Sequence, residues 1–496
     1  MARICDICGQ REATVVDRAV MNNVTLQYAY CEACYRAALQ NGINPRIEAD
    51  RIRKFNSKTC DVCGMTAEKF DEGFLFGCPE CYTSMRAFAL KVVQDVQGST
   101  RHVGKEGIPF DLKNKGKRQA YKGSELPSFA ADGDYIKRIF GDGGAYRKGG
   151  RRAFRPAAVC STEEMLEMNV MSSRIRLARN IRGLNFPAFM HENHNLDDEI
   201  AGAYTASKGL FDARVRKISD LDNAQKKALI ERHIISLNLA NNDRYGAVIV
   251  DGGNTGFSVM INEEDHFREQ CVMDGFNLRA AHYRINAYDT NLMRELPIAY
   301  DKELGFLTAC PTNVGTGMRA SVMLFLPALK RKGAIDEELS RFKAEYGLTI
   351  RGMFGEGSDP INDAYQISNS RTLGIDERDT IMQVEEATRR MCYCERLALE
   401  QILIDEGESY LDEILRSYNF LISAKSLEYD EFLSHVSAIR VGAILDVLPK
   451  RMTPKQVDKL ALLCSPSSIE IATKTRFEDP SALRAEIVRA VLEDKR

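Results

Sequence analysis

Eight cysteines in the first 81 residues constrain this chain more tightly than any other feature. They form four Cys-x-x-Cys pairs in an internal repeat, in which Cys-Asp-x-Cys-Gly opens each of two units and Cys-x-x-Cys-Tyr closes it. The pairs are Cys5 and Cys8, Cys31 and Cys34, Cys60 and Cys63, and Cys78 and Cys81. Because each unit offers the four thiolates that a closed tetrahedral site needs, we predict two structural Zn²⁺ ions.

Other arrangements of these cysteines stay open. An iron–sulfur centre uses the same ligands, disulfides would form in an oxidising compartment, and zinc ligands could be shared between the units rather than grouped four by four. Each unit has few apolar residues, so metal binding would supply much of its folding free energy. The N-terminus lacks the apolar core of a signal peptide and no run of 18 apolar residues occurs. We therefore expect a cytoplasmic chain without membrane partners.

Composition divides the 496 residues into five parts. We predict zinc modules at residues 1–50 and 51–104, a basic linker at 105–158, a globular domain at 159–400, and a helical C-terminal domain at 401–496. The linker is interpreted as a flexible tether; the alternatives are a site for an anionic partner and a stretch of arginines phosphorylated in cis. The formal net charge of −2 gives no general attraction to nucleic acid, and none is expected as a partner.

Apolar patterns in the globular part predict an α+β fold, with an antiparallel sheet flanked by helices. Strands are expected at 245–250, 256–261, 348–350 and 365–369, a helix at 85–93 and a buried helix at 320–330. From about Ile381 onward, amphipathic patterns predict a helical C-terminal domain.

Four polar motifs in this domain suggest phosphoryl transfer to a guanidinium. They read Ser-Ser-Arg-Ile-Arg-Leu-Ala-Arg-Asn at 172–180, Asn-Glu-Glu-Asp-His-Phe-Arg at 262–268, Cys-Pro-Thr-Asn-Val-Gly-Thr-Gly at 310–317, and Arg-Gly-Met-Phe-Gly-Glu-Gly at 351–357. Arginine holds phosphate through bidentate hydrogen bonds. Since no Gly-x-x-x-x-Gly-Lys-Ser/Thr loop occurs, we expect an arginine cage for a nucleotide, formed by Arg174, Arg176, Arg268, Arg319 and Arg351.

Carboxylates supply the second half of such a site. A guanidinium is protonated at neutral pH, so its attack on a phosphoryl group requires a positioned base. Glu263 and Glu264 are the candidates for binding and deprotonation, and Glu356 for a second clamp. Nearby positive charge and hydrogen bonds are expected to favour a thiolate at Cys310, although a buried structural cysteine is the alternative.

Two histidines accompany these motifs. His233 either touches the nucleotide or is a capping or core residue, and His266 is expected to orient the glutamate loop. Taken singly, each arginine and glutamate of the motifs is also compatible with an ordinary surface role. Their joint placement carries the interpretation.

The motifs resemble the signatures of the phosphagen (guanidino) kinase family over roughly Met171 to Met391. The stretch from Cys310 to Met323 is most similar to the bacterial, McsB-type protein-arginine kinase branch. The resemblance implies ATP with Mg²⁺ on its phosphates, and Glu263, Glu264, Cys310 and Glu356 around the guanidinium. Implied ATP contacts are Ser172, Ser173, Arg174, Ile175, Arg176, His233, Arg268, Arg319, Ala320, Ser321, Val322, Met323, Arg351, Gly352, Met353, Phe354, Gly355 and Glu356.

Both ends of the chain extend the resemblance. The first hundred residues resemble McsA-type zinc-binding activators, so we expect a fusion in which the zinc region contacts and activates the kinase half. The C-terminus resembles the branch's dimerisation and phosphoarginine-binding domain. That domain's Arg-Asp-x-x-Arg-Ala pattern departs here, because Arg489 and Ala490 match, Glu486 replaces aspartate, and the first arginine is missing, with Arg484 adjacent.

The resemblance also implies partners: protein substrates with exposed arginines, a second copy in a homodimer, and a Clp-type protease system for proteins marked for quality control or degradation. Two other functions stay open. A kinase of free arginine or another small guanidine would share the chemistry, but the sequence shows no separate N-terminal helical domain that closes over a small substrate. A non-catalytic zinc adapter or DNA-binding regulator would not need Glu263, Glu264 and Cys310 intact, and the near-neutral charge disfavours DNA.

Overall fold

The computed structural model describes residues 4–8, 11–21, 24–55, 58–110, 161–253, 256–352, 363–476 and 479–493. Residues 111–158 of the predicted linker lie outside the described residues, and at its start the tether interpretation is wrong, because Lys105 is bonded to the kinase half. The predicted ATP contacts Met353, Phe354 and Gly355 and the predicted clamp Glu356 lie outside the described residues as well.

An antiparallel sheet of eight strands forms the centre of the kinase half, in the spatial order β11-β12-β10-β3-β7-β6-β5-β4. The strands of the described chain are β1 (Val15–Met21), β2 (Val24–Tyr30), β3 (Val170–Arg179), β4 (Ala213–Lys217), β5 (Ala247–Asp251), β6 (Phe257–Ile261), β7 (Phe267–Asp274), β8 (Tyr300–Asp301), β9 (Gly305–Phe306), β10 (Met318–Phe325), β11 (Leu348–Gly352) and β12 (Ala364–Asn369).

Helices flank this sheet and form the C-terminal part. Those of the described chain are α1 (Glu32–Gln40), α2 (Pro45–Phe55), α3 (Ala67–Gly73), α4 (Cys81–Ser84), α5 (Arg86–Gln97), α6 (Thr162–Asn169), α7 (Asp197–Ala206), α8 (Asn223–Glu231), α9 (Leu237–Ala240), α10 (Leu278–Glu295), α11 (Pro327–Arg331), α12 (Ile335–Tyr346), α13 (Glu377–Asp405), α14 (Gly407–Ser423), α15 (Tyr429–Leu445), α16 (Pro454–Leu463), α17 (Pro466–Arg476) and α18 (Pro480–Leu492). The predicted α+β class is confirmed.

One face of the central strands packs on two long helices. Ile175 of β3 and Val322 of β10 belong to the same apolar core as Ile285 of α10 and Val384 of α13. Because successive side chains of a strand point to opposite faces, the residues between them point to the other face. That second face of β3, β7 and β10 carries the predicted nucleotide-binding arginines.

The C-terminal helices form a second core with the end of the sheet. Phe325 of β10 and Ala328 of α11 pack with buried residues of α14 to α18, such as Ile414 and Phe432. Helix α13 is 29 residues long and runs through the predicted domain boundary at 400 and 401. It therefore contributes to both cores.

The prediction of a buried helix at residues 320–330 is wrong. Strand β10 occupies Met318–Phe325, pairs with β3 on one side and with β12 on the other, and is followed by the short helix α11. A continuous apolar run fits a doubly buried strand as well as a buried helix. The other expected strands are confirmed as β5, β6, β11 and β12, and the helix expected at 85–93 is α5.

Two small units precede the kinase half. The first contains the hairpin β1–β2 with α1 and α2, and the second contains α3, α4 and α5. Aromatic side chains of the second unit, Phe76 and Tyr82, share an apolar core with Leu307 and Val314 of the kinase half. The second unit is thus packed directly on the kinase. None of the helices in the described residues is long and apolar enough to cross a membrane.

Candidate active site

Three arginines from adjacent strands lie together on the face of the sheet opposite the core. Arg174 is on β3, Arg319 is on β10 opposite Arg176, and Arg268 is on β7 opposite Ala178. Burial and the neighbouring arginines lower the pKa of Arg174 and of Arg268 to about 10. Since a bound polyanion would relieve this repulsion, the cluster suits the phosphates of a nucleotide.

The strand register sorts the expected ATP contacts on β3 and β10 into two sets. Ser172, Arg174, Arg176, Arg319, Ser321 and Met323 share the arginine face by alternation. Ser173, Ile175, Ala320 and Val322 point the other way and are buried in the core. Ser173 is bonded there, since its Oγ donates to the carbonyl of Gly275 at 2.7 Å and accepts from the amide of Asn277 at 2.9 Å.

His233 lies beside this arginine cluster. It follows α8 with a φ of 55°, and its carbonyl accepts a hydrogen bond of 2.6 Å from Gln270, which shares the face of Arg268 on β7. Burial, and then the charge of Arg174, lower the pKa of His233 to about 4. The imidazole is therefore neutral at physiological pH.

The loop between β6 and β7 presents the two candidate glutamates. Asn262 begins it with a φ of 57°, a left-handed conformation that asparagine tolerates. The Asn262 side chain donates to the carbonyl of Tyr245, and its own carbonyl accepts from Asn242 at 2.8 Å. These bonds fix the turn from which Glu263 and Glu264 extend.

Glu263 is held from two sides. Its Oε1 accepts a hydrogen bond of 2.6 Å from the hydroxyl of Ser236, and its Oε2 lies 2.7 Å from Nη1 of Arg268. The carboxylate is thereby fixed next to the arginine cluster.

Glu264 has a different environment. Its Oε1 accepts a hydrogen bond of 3.0 Å from the amide of Asn313. Burial, and then the charge of Glu263, raise the pKa of Glu264 to about 7, although Arg319 and Asn313 oppose this shift. A carboxylate with a pKa near the working pH is suited to general base catalysis.

Asp265 and His266 support the loop from beneath. Oδ1 of Asp265 accepts from Asn180 at 2.6 Å and from the amide of Ala309 at 2.8 Å, while burial raises the pKa of Asp265 to about 8. His266 accepts from the amide of Ile181 at Nδ1 and donates from Nε2 to the carbonyl of Asn185. Burial lowers the pKa of His266 to about 3, so it is a neutral residue that joins the loop to the end of β3.

The expectation of a thiolate at Cys310 is wrong for this structure. Burial raises the pKa of Cys310, and the neighbouring carboxyl groups of Glu264 and Asp265 add to the effect. The sequence placed positive charge near the thiol, whereas the fold places these acids there. Sγ lies 3.0 Å from the hydroxyl of Thr312, so the neutral thiol takes part in a hydrogen bond.

The second zinc module lies against the segment that carries Cys310. The amide of Phe76 donates to the carbonyl of Ala309 at 2.9 Å, and the hydroxyl of Tyr82 donates to the carbonyl of Thr308 at 2.8 Å. The side chain of Gln97 donates to the carbonyl of Pro311 at 2.9 Å. The expected contact between the zinc region and the kinase half is confirmed.

The eight N-terminal thiols form two separate clusters. Within each cluster all four Sγ atoms lie within 4.8 Å of one another, and the clusters are Cys5, Cys8, Cys31, Cys34 and Cys60, Cys63, Cys78, Cys81. The ligands are therefore grouped four by four and not shared between the units. Four convergent cysteine thiols fit a tetrahedral Zn²⁺ ion, so each unit holds a zinc-binding site.

Two further predicted residues, at positions 351 and 484, have no described side-chain contact with the arginine cluster or the glutamate loop. The backbone of position 351 lies on β11, paired with Gln366 of β12. On α18, Arg484 is buried and donates to the carbonyls of Cys464 and Leu427.

Three of the four residues considered for a phosphoarginine pocket, Glu486, Arg489 and Ala490, share one face of α18 by their spacing, and Arg484 does not. Glu486 and Ala490 are exposed, while Arg484 points into the helical core. Arg489 donates to the carbonyl of Ala424. Arg484 is therefore separate from the other three residues, and the pocket stays a prediction.

The sequence interpretation missed two residues that hold the glutamates. Asn313 belongs to the motif at 310–317 and bonds Glu264, and Ser236 bonds Glu263 from a loop 27 positions earlier. The amide of Asn313, three residues after Cys310, was a readable signal. Ser236 had none, because only the fold brings it to the glutamate loop.

Family models match three parts of the chain. Residues 58–104 match the McsA central zinc-finger domain, residues 195–398 the C-terminal catalytic domain of ATP:guanido phosphotransferases, and residues 407–496 the C-terminal domain of the protein-arginine kinase McsB. A protein-arginine kinase of Caldanaerobacter subterraneus subsp. tengcongensis is 35% identical over 308 residues, which cover 61% of this chain and 89% of that relative.

This chain belongs to the protein-arginine kinase family. A second member, from Shouchella clausii, is 35% identical over 328 residues, which cover 64% of this chain and 90% of the relative. The solved structure of a lombricine kinase shares the fold with a TM-score of 0.50 at 21% identity, covering 73% of this chain and 93% of that one. This protein-arginine kinase family member also carries the matched zinc-finger domain in the same chain.

Proposed function

We propose that this kinase transfers the γ-phosphoryl group of ATP to arginine side chains of proteins. The observation that carries the proposal is the placement of Glu263 and Glu264 on one loop directly beside the arginine cluster. One group of residues suits a polyphosphate and the other a guanidinium, and phosphoryl transfer needs both next to each other.

The reaction is an in-line transfer in which positioning and charge matter most. Mg²⁺, bound to the phosphates of ATP, would neutralise part of their charge. Arg174, Arg268 and Arg319 hold the phosphates. Glu264 takes a proton from the guanidinium, a nitrogen of the guanidinium then bonds to the γ-phosphorus, and ADP leaves.

Glu263 and Cys310 orient the acceptor in this proposal. Glu263 is fixed by Ser236 and is suited to accept hydrogen bonds from the guanidinium. The Cys310 thiol lies near Glu264 and is neutral, so it contributes by hydrogen bonding rather than as a nucleophile. Glu356 is the further clamp of the proposal, with Arg351, Gly352, Met353, Phe354 and Gly355 along the nucleotide.

Protein side chains are proposed as the acceptors in preference to free arginine. The relatives of about 35% identity are protein-arginine kinases, and the C-terminal match is to the corresponding domain of that kinase. The same kinship supports a homodimer and a link to a Clp-type protease system, with phosphoarginine as a mark for quality control or degradation.

The zinc region is proposed to activate the kinase through the Cys310 segment. Its second module bonds Thr308, Ala309 and Pro311, the residues that surround Cys310. Ala309 also bonds Asp265 beneath the glutamate loop, so this contact reaches the proposed base within a few residues. Two four-thiol zinc sites fit a reducing compartment, and we propose the cytoplasm.

Transfer of labelled γ-phosphate tests the proposal. An unfolded arginine-rich protein and free arginine are offered in parallel to the wild type, to Glu264→Gln, and to Glu337→Gln, whose exposed carboxylate on α12 serves as the control. We expect acid-labile label on the protein only, lost in Glu264→Gln and kept in Glu337→Gln. Label on free arginine alone would indicate a small-substrate kinase, and ATP binding without any transfer would indicate an adapter.

A further inference from the structure

A short segment after the second zinc module crosses the kinase half. Residues 99–110, called the strap here, follow helix α5. The carbonyl of Arg101 accepts from the amide of Gly374 at 3.1 Å, and the amide of His102 donates to the carbonyl of Glu303 at 2.6 Å. The zinc-finger match ends at residue 104, so it does not include Lys105.

Lys105 inserts its ammonium group into the kinase half. Nζ donates to Oδ1 of Asn286 at 2.7 Å, to Oδ2 of Asp289 at 2.8 Å, and to the hydroxyl of Thr290 at 3.0 Å. All three partners are on helix α10. The Lys105 amide donates to the carboxylate of Glu377 at the start of α13. The strap thus joins the two helices that support the sheet.

The partner of Lys105 is a fully buried carboxylate. Asp289 is 0% exposed, and its two oxygens also accept from Nε and Nη2 of Arg179 at 2.8 and 3.0 Å. Glu269, equally buried on β7, is the neighbour of Arg268. Burial and Asp289 raise the pKa of Glu269. Two carboxyl groups and two cations therefore share one enclosed cluster, and Lys105 is the cation that the strap supplies.

Arg179 connects this cluster to the turn that begins at Cys310. Its Nη1 donates to the carbonyl of Thr316 at 3.0 Å, and its guanidinium lies 3.6 Å from the ring centroid of Phe306. Gly104 of the strap touches the same threonine, since a Cβ at Gly104 would lie 2.6 Å from Cγ2 of Thr316. Thr316 is held by Arg179 and by the strap.

We propose that Lys105 is a positioning residue for phosphoryl transfer, because it shares the buried carboxylate of Asp289 with Arg179 and thereby fixes Arg179 and the turn 310–317. The inference rests on the proposed function for its effect on rate. The strap is then part of the catalytic domain. Removing the ammonium would leave Asp289 with Arg179 as its one cationic partner among the described residues, and loss of a charged donor to a buried carboxylate is destabilising.

Four variants of the full-length chain test this role. Lys105→Met removes the ammonium, and Lys105→Arg keeps a cation. Gly104→Val leaves the charge in place but prevents the strap from lying against Thr316. Lys91→Met on α5, where the lysine is exposed, is the control for loss of a lysine. The measurements are kcat, KM for ATP, the urea midpoint, and trypsin cleavage after Arg101, identified by mass spectrometry.

We expect kcat to fall about tenfold in Lys105→Met and in Gly104→Val, with KM for ATP nearly unchanged, because the arginine face is not altered. Lys105→Arg should keep most of the rate, and Lys91→Met all of it. Trypsin should cut after Arg101 faster in Lys105→Met and Gly104→Val than in the wild type. The Gly104→Val result remains decisive if Lys105→Met does not fold.

Wild-type kcat in Gly104→Val, together with fast cleavage after Arg101, would overturn the inference, since the strap would then be free without consequence. Equal losses in Lys105→Arg and Lys105→Met would also count against it. An inactive wild type would instead refute the proposed function. The urea midpoint and the cleavage rate need no activity, so they would still show whether Lys105 holds the strap.

Discussion

Arg268 and Glu263 form an ion pair with 2.7 Å between Nη1 and Oε2. The sequence assigned the first to the nucleotide and the second to the guanidinium, so the two half-sites touch before either substrate is bound. A phosphate that binds Arg268 would compete with Glu263 for the guanidinium of Arg268. Nucleotide binding would therefore free Glu263 to accept hydrogen bonds from the acceptor arginine.

This ion pair predicts that one substitution affects both substrates. Arg268→Lys keeps the charge but loses the planar fork that bonds Glu263 in the free enzyme and would bond a phosphate once ATP is bound. We expect KM for ATP and KM for the protein acceptor each to rise about tenfold, as for loss of a charged hydrogen bond. Steady-state kinetics with each substrate varied in turn would measure both. Arg294→Lys, at an exposed arginine of α10, is the control. A rise in KM for ATP alone would show that the two half-sites are independent.

The raised pKa of Glu264 predicts the pH dependence of the rate. A general base must be deprotonated, so kcat/KM should increase with pH up to about 7 and then level off. Glu264→Gln should lower kcat by roughly 10²- to 10⁴-fold and remove this rise. A pH–rate profile of wild type and variant tests both statements. An unchanged acidic limb in the residual activity of the variant would assign that limb to another group.

The raised pKa of Glu264 should increase the rate as pH rises but decrease the stability of the fold. The folded state raises the pKa of Glu264 above its ordinary 4.5, so the stability that its proton contributes is present below pH 4.5 and is lost as pH rises through about 7. Urea midpoints between pH 5 and 8 should therefore decline less in Glu264→Gln than in the wild type. Parallel curves for the two proteins would contradict the shift.

The contact between Tyr82 and Thr308 predicts that the zinc module acts through the Cys310 segment. Tyr82→Phe removes a buried hydrogen bond and should cost about 1 kcal/mol of stability. We expect a several-fold loss of kcat while both zinc ions are retained, as measured by metal analysis. Tyr283→Phe, at a tyrosine that is 79% exposed, is the matched control. Full activity in Tyr82→Phe would separate zinc-module docking from catalysis.

The neutral thiol of Cys310 predicts slow alkylation. Burial and two nearby carboxyl groups raise its pKa, so its thiolate fraction near pH 7.5 is smaller than that of free cysteine. Iodoacetamide labelling, followed at this residue by mass spectrometry, should be slower than labelling of free cysteine and should speed up as pH increases. Rapid labelling at pH 7 would restore the thiolate interpretation.

Local sequence patterns were sufficient for most of the elements and for the chemistry of the site. The apolar runs at β5 and β6 are bounded by turn residues, so these strands were predictable. The spacing of the cysteines predicted both four-thiol clusters. The run at 320–330 misled because it is apolar at almost every position, and a short apolar run does not by its periodicity distinguish a strand from a helix. The residues form a strand because they pair with β3 and β12, and these partners are distant in the sequence.

The remaining features depend on contacts between distant positions. The bond from Lys105 to Asp289 spans 184 residues, and the raised pKa of Cys310 comes from acids that the sequence does not place beside it. Burial and neighbouring charge set such pKa values, and both are properties of the folded chain. The sequence therefore identified the residues of the candidate site. Their protonation states and the side chains that hold them in place could be seen only in the structure.

Alternate residues of β3 and β10 face the arginine cluster and the apolar core, and this affects how sequence similarity should be measured in this family. On each strand, catalytic and architectural demands alternate residue by residue, so a signature such as Ser-Ser-Arg-Ile-Arg records two independent selections at once. A descendant that lost phosphoryl transfer could exchange its arginines for other residues and still retain Ile175, Ala320 and Val322 for packing. Similarity scored over the whole motif would hide that change. Scoring the odd and even positions of these strands separately would expose inactive relatives that overall identity conceals.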